Sequence, residues 1–275
     1  MISLTLEIDV PTPSRFVKHA LVDDIALACN KLYRERNPNQ HGAPLDPDLF
    51  IDLLEVSTAW EDIEEPEHTS FFANFSPDDE GLITINNKHR DLFEKRPDVY
   101  SACIGHEAGH CVLRHWEKTL RDEEETLSLF ADSSPQPRLF HKSSWYQYGL
   151  SREEVEARKK LEKAFRDKLV NKALMSETAR QTLNEMSNRF EPEWMFHQAE
   201  HFSLCLRIPR DFLIARLDDG WDYTSWRGIY RLAERFGVSG SMMKTRLEKL
   251  QLIELGPDGK PRACETRSQR GLFNH

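Results

Sequence analysis

The sequence predicts an α+β protein that is mostly helical, with one small antiparallel or mixed sheet and a helical C-terminal module. Three observations carry this reading. Apolar residues recur at helical spacing over several long stretches. Three short runs bounded by turn residues cluster between positions 56 and 86, as strands of one sheet would. Residues 226–253 have the outline of two short helices joined at Gly237, Val238 and Ser239. A chain of 275 residues can bury a sizeable core. It reads as a main domain over 1–215, with a helical insertion at about 120–188, followed by a module and tail over 216–275.

In chain order, residues 12–35 read as an amphipathic helix with Phe16, Ala20, Ile25, Cys29 and Leu32 roughly on one side. Residues 37–44 are a loop, rich in Asn, Pro and Gly. A shorter helix follows over 46–55. Strands are expected at 56–63, 70–75 and 82–86, with 76–81 as a hairpin turn between the last two. Pro97 and Asp98 supply a helix start before an apolar run. On that helix Val99, Ala102, Cys103, His106, His110 and Leu113 share an inward stripe. The pattern dissolves after Trp116. Ser151 then opens a capping box with Glu154, and a charged helical stretch runs to about Leu183.

Composition narrows the function classes. No apolar run approaches the roughly 20 residues of a membrane span, so no membrane partner is expected. The N-terminus has no basic region and carries acids early, unlike a signal peptide. Five scattered cysteines without a CxxC pair suit a reducing, cytoplasmic setting, and Cys103 and Cys111 read as small core residues. A net charge of −9 opposes nucleic-acid binding over the whole surface while leaving room for a local basic patch.

The most informative stretch is His106-Glu107-Ala108-Gly109-His110, an H-E-x-x-H pattern on the helix that begins at Pro97. Histidines four residues apart stack on one helix face and can clasp one Zn²⁺. The glutamate between them can take a proton from water. Two histidines and a glutamate are a costly way to build a core. Gly105 and Gly109 each cost about 1 kcal/mol against alanine in mid-helix. They suggest that another backbone comes close there, as a crossing ligand helix would. Tyr100, on the same helix, is the one weak candidate for stabilising an oxyanion.

A catalytic zinc usually has three protein ligands. The helix expected within 193–210 offers a third. Ala199, Phe202, Leu206, Ile208 and Pro209 follow the pattern A-x-x-F-x-x-x-L-x-[MI]-P. With the H-E-x-x-H helix, this resembles the ImmA/IrrE family of zinc metallopeptidases. The resemblance spans roughly residues 15–255, and its specific part is the two helices and the strand pair between 70 and 86. It implies a zincin-like fold, a cytoplasmic zinc-dependent endopeptidase, and a protein substrate, often a helix-turn-helix transcriptional repressor cleaved in a stress, phage or mobile-element response. The family's glutamate ligand would fall at Phe196, which cannot bind metal. Glu200 lies one turn further along and leans back toward that spot, so the expected metal set is His106, His110 and Glu200, with Glu107 as the base. His197 and Glu193 are the alternatives, and a site with only two protein ligands is a further one.

Between Arg227 and Leu250 there are six Lys or Arg against two Glu, a footprint for DNA contact by a helix-turn-helix. The competing reading is a helical hairpin that packs on the main domain or docks a protein partner, and it is the expectation here. A DNA- or partner-binding regulator with a structural or degenerate zinc site is the alternative to the enzyme.

Overall fold

The computed structural model describes residues 9–14, 17–40, 42–63, 65, 71–77, 81–117 and 193–264. The expected insertion at 120–188, with its capping box at Ser151, lies outside the described residues. So does Phe16.

Helix α1 (His19–Arg36) opens the fold. It begins later than the 12–35 helix expected, since residues 9–14, 17 and 18 are not helical. Its buried stripe is Val22, Ile25, Ala26, Cys29 and Tyr33; of the side read from sequence, Ile25 and Cys29 are buried, Leu32 is half-buried and Ala20 is exposed. Helix α2 (Pro47–Leu53) starts on Asp46, whose carboxylate accepts from the amides of Asp48 and Leu49. This is a side-chain cap with proline at the first position.

Strands β1 (Ser57–Glu61), β2 (Ala73–Ser76) and β3 (Leu82–Asn86) form one sheet in the order β1-β3-β2. β2 and β3 are the expected antiparallel hairpin, and Gly81 in its turn has φ +93, which favours glycine. β1 runs parallel to β3, so the sheet is mixed. Buried Asn86 closes one end: its Nδ2 donates to the carbonyls of Phe71 (2.9 Å) and Ile63 (3.2 Å), and its Oδ1 accepts from the amides of Ile63 and Lys88.

Helix α3 (Arg90–Lys95) leads into α4 (Pro97–Val112), which carries the H-E-x-x-H residues with proline at its start, as expected. The inward stripe predicted for α4 is too narrow. All of 101–112 is buried, because the helix packs on α2, α3, β2 and a second long helix, α5 (Glu193–Arg207). Cys103 and Cys111 are reduced core residues. The two glycines act as anticipated. A Cβ on Gly109 would stand 3.0 Å from the Cα of Ala199, and one on Gly105 would stand 2.7 Å from the Oγ of Ser203. The helices therefore cross backbone to backbone at these points. Ser203 fixes the crossing by donating to the Ala102 carbonyl at 3.1 Å.

After Pro209 come α6 (Arg210–Asp218), α7 (Trp226–Phe236) and α8 (Gly240–Lys249). Ser225 and Ser239 cap α7 and α8, and left-handed Gly237 ends α7. A hairpin of β4 (Ile253–Leu255) and β5 (Pro261–Ala263) follows, which the sequence reading did not include. Two apolar cores result. The first joins α1 to α4 and the sheet to Phe202, Cys205 and Leu206 of α5. The second gathers Leu204 and Ile208 with α6, α7, α8 and β4. Helix α5 is thus shared, one face to each core, and the second core takes in α6 ahead of the 215/216 division.

Candidate metal centre

Helix α4 presents His106, Glu107 and His110, each 1% exposed. Spacing by one helical turn brings the two rings together, and their Nε2 atoms lie 3.0 Å apart. The outer nitrogens are engaged on opposite sides. Nδ1 of His106 is 3.2 Å from Oε1 of Glu200 on α5. Nδ1 of His110 is 2.9 Å from Nδ1 of His115. His115 lies just beyond α4, where Arg114 takes a left-handed φ of +55 and turns the chain back along the helix. Nε2 of His115 is 3.2 Å from Oε1 of Gln198, whose Nε2 donates to the Ser14 carbonyl at 2.8 Å.

This row of groups assigns the protons. Gln198 gives its amide hydrogens to a carbonyl, so its oxygen faces His115 as an acceptor and His115 donates from Nε2. Burial, with the neighbouring His110, holds the pKa of His115 well below the usual histidine value, so its Nδ1 carries no proton and accepts from Nδ1–H of His110. His110 then offers a bare Nε2. At the other end Oε1 of Glu200 stands 3.2 Å from Nδ1 of His106 as an ion-pair contact rather than a hydrogen bond; its charge favours a proton on that nitrogen, the tautomer that bares the second Nε2. In that tautomer two lone pairs would face each other at 3.0 Å and repel unless a cation lay between them; in the other, Nε2–H of His106 donates to Nε2 of His110.

Zn²⁺ at 2.0–2.1 Å from both nitrogens would subtend an angle of about 94°, against the tetrahedral value near 109°. An opening of a few tenths of an ångström completes the fit. Histidines that bind zinc commonly have an outer partner that fixes the tautomer, and His110 has one in His115. Among the described residues, no group of three or more His, Cys, Asp or Glu side chains is disposed to hold an ion.

The remaining expected residues fall as follows. Glu200 comes to the pair, but at Nδ1 of His106, on the edge of the ring away from the facing Nε2 atoms. Phe196 packs its ring 5.1 Å from that of His106. His197 is exposed beside Phe196. The side chain of Glu193 lies outside the described part of α5. Tyr100 is committed elsewhere: its hydroxyl donates to Asp48 at 2.7 Å and its ring stacks on Trp60. Burial and Asp48 keep that phenol protonated. The sequence reading did not include His115 or Gln198. The signal for His115 was a further histidine five residues past the motif.

No protein-family model matches the chain, and no curated protein matches it. No helix among the described residues is long and apolar enough to cross a membrane.

Proposed function

We propose that the chain is a zinc-dependent endopeptidase acting on a protein substrate. The observation that carries this reading is the buried pair of facing Nε2 atoms on α4, with the outer nitrogen of His110 hydrogen-bonded to His115, the Glu200 carboxylate beside His106, and a buried glutamate between the two histidines. His106 and His110 would hold the metal. Bound zinc supplies Lewis acidity, which brings the pKa of a water toward about 7. Glu107 takes the proton of the attacking water and returns it to the leaving amine. His115 keeps His110 in its ligating tautomer, and the charge of Glu200 favours the ligating tautomer of His106. Strands β1 and β2 are the sheet edges, and an edge strand can align an extended peptide through its main chain. The resemblance to the ImmA/IrrE family supports a repressor as the substrate class.

One observation favours a second reading. Phe196 occupies the family's glutamate position and packs on His106, so a two-histidine site serving a partner-binding regulator is the competitor. Metal analysis and turnover of three proteins separate the two. Wild type should hold about one zinc and cleave. Glu107→Gln should hold zinc and lose at least the 10²–10⁴-fold typical of an acid–base group. His106→Ala/His110→Ala should lose both. Unchanged turnover in Glu107→Gln would sink the enzyme reading. Equal zinc in all three would sink the metal site.

A further inference from the structure

A concave site lies away from the histidines. Four arginines, Arg34, Arg207, Arg216 and Arg235, line one solvent-open pocket together with Phe212 and Phe236. No Asp or Glu is among the lining residues. The arginines come from α1, the end of α5, α6 and α7. They converge at Gly42, a residue with φ +76. The point where its Cβ would stand lies 3.1 Å from Nη2 of Arg235 and 3.9 Å from Nη2 of Arg216.

Little in the protein neutralises this charge. Arg216 meets one carboxylate, that of exposed Asp219, at 3.2 Å. Arg235 has no ion pair among the described residues. Arg207 donates to the Gly237 carbonyl and to the Met242 sulfur, and its charge also acts on Asp98. Arg34 is only 8% exposed, donates Nη1 to the Gln40 carbonyl, and its buried Nε has no hydrogen-bond partner. Burial and the charge of Arg235 both depress its pKa. An array of guanidiniums that repel one another and keep an unused buried donor is built for an anion.

We propose that this pocket binds a phosphate group, free or carried on a small molecule, with Arg34, Arg216 and Arg235 as its principal ligands. Guanidinium forks match the oxygens of a tetrahedral anion, and Phe212 and Phe236 give apolar contact to whatever carries it. The bound anion ties the loop after α1 to α6 and α7, and so joins the two cores. This inference is independent of the peptidase reading.

Isothermal titration of the full chain at constant ionic strength tests it, with inorganic phosphate, adenosine 5′-monophosphate and acetate as probes. At least one phosphate-bearing probe should bind at a single saturable site, and acetate should not. Tighter binding of the nucleotide than of inorganic phosphate would identify a carried phosphate; the reverse would identify the free ion. Arg216→Gln/Arg235→Gln should weaken binding at least tenfold. Without ligand, that variant should be as stable as wild type or more so, because a repulsion is removed. Arg231→Gln, exposed on α7 outside the pocket, should bind like wild type. Failure of both phosphate probes, equal binding of acetate, or equal loss in Arg231→Gln overturns the proposal.

Discussion

Arg246 belongs, on sequence, to the basic face of a helix-turn-helix, yet it is 1% exposed. Its Nη1 and Nη2 donate to Asp23 of α1 at 3.0 and 2.7 Å, and its Nε donates to the Ile208 carbonyl at 2.9 Å. Removing one partner of such a pair costs about 3–5 kcal/mol, because the other charge stays buried, while replacing both with apolar residues is far milder. Asp23→Asn and Arg246→Met should each destabilise by that order in urea unfolding at pH 7, and Asp23→Leu/Arg246→Met by less. The pH dependence follows from Asp23. Burial raises its pKa, but the hydrogen bonds and charge of Arg246 outweigh this and leave it below 3.8. A depressed carboxylate stabilises above its unfolded pKa and loses that contribution as pH falls through the folded value. The gap between wild type and Asp23→Asn should therefore hold from pH 7 to about 5 and narrow below 3.8. A gap that widens on acidification would reverse the assignment. Glu200 gives a second residue-scale expectation. As the carboxylate 3.2 Å from Nδ1 of His106, it should, on replacement by Ala, lower zinc affinity by about 10–100-fold, the range for outer partners of metal ligands. A much larger loss in metal titration would mean that Glu200 is itself a ligand.

The crossing of α4 and α5 sets the site. Gly109→Ala gains about 1 kcal/mol of helix propensity, but its methyl would meet the Cα and carbonyl of Ala199 at 3.0 and 3.1 Å. Backbone cannot swing aside, so the helices must part, and overpacking of this kind costs about 1–3 kcal/mol. The variant should melt earlier and bind zinc more weakly, since Glu200 and Gln198 ride on α5. Gly105→Ala faces the Ser203 hydroxyl, which can be trimmed, so Gly105→Ala/Ser203→Ala should recover stability lost in the single change. An unaltered melting temperature for Gly109→Ala would show that the crossing is looser than its contacts. The same element shows how much was legible. Pro97, the two glycines and the histidine spacing announced the helix and its partner. Its burial on all sides was hidden, because a helix surrounded by other elements has apolar residues all round and no clear stripe. His115 escaped because it lies past the helix end, where the left-handed Arg114 breaks the periodicity. The β4–β5 hairpin escaped because its strands are three residues long, too short to show alternation, although Pro257, Asp258 and Gly259 spell a turn.

At the scale of the whole molecule, charge decides whether α7 and α8 read DNA. The segment from Arg227 to Leu250 carries six basic residues in a chain of net charge −9. Its folded placement removes most of them from the surface tally. Arg246 is buried against Asp23, and Lys249 reaches His201 of α5 at 3.0 Å. Lys244 pairs with Glu248, and Arg235 turns into the arginine pocket. Arg227 and Arg231 remain exposed, beside the exposed ring of Tyr230. Each phosphate that a protein neutralises contributes about −0.9 to the slope of log K against log salt. Two or three contacts give a slope of about −2 to −3, on a body whose overall charge repels DNA at long range. Binding to duplex DNA, followed by fluorescence anisotropy between 50 and 200 mM salt, should therefore be weak, indifferent to sequence and shallow in salt. Replacing Arg227 and Arg231 should remove what there is, with zinc content unchanged. A slope near −5, which needs all six basic residues on phosphates, would require Arg246 to leave Asp23. That result would make the C-terminal helices a DNA reader.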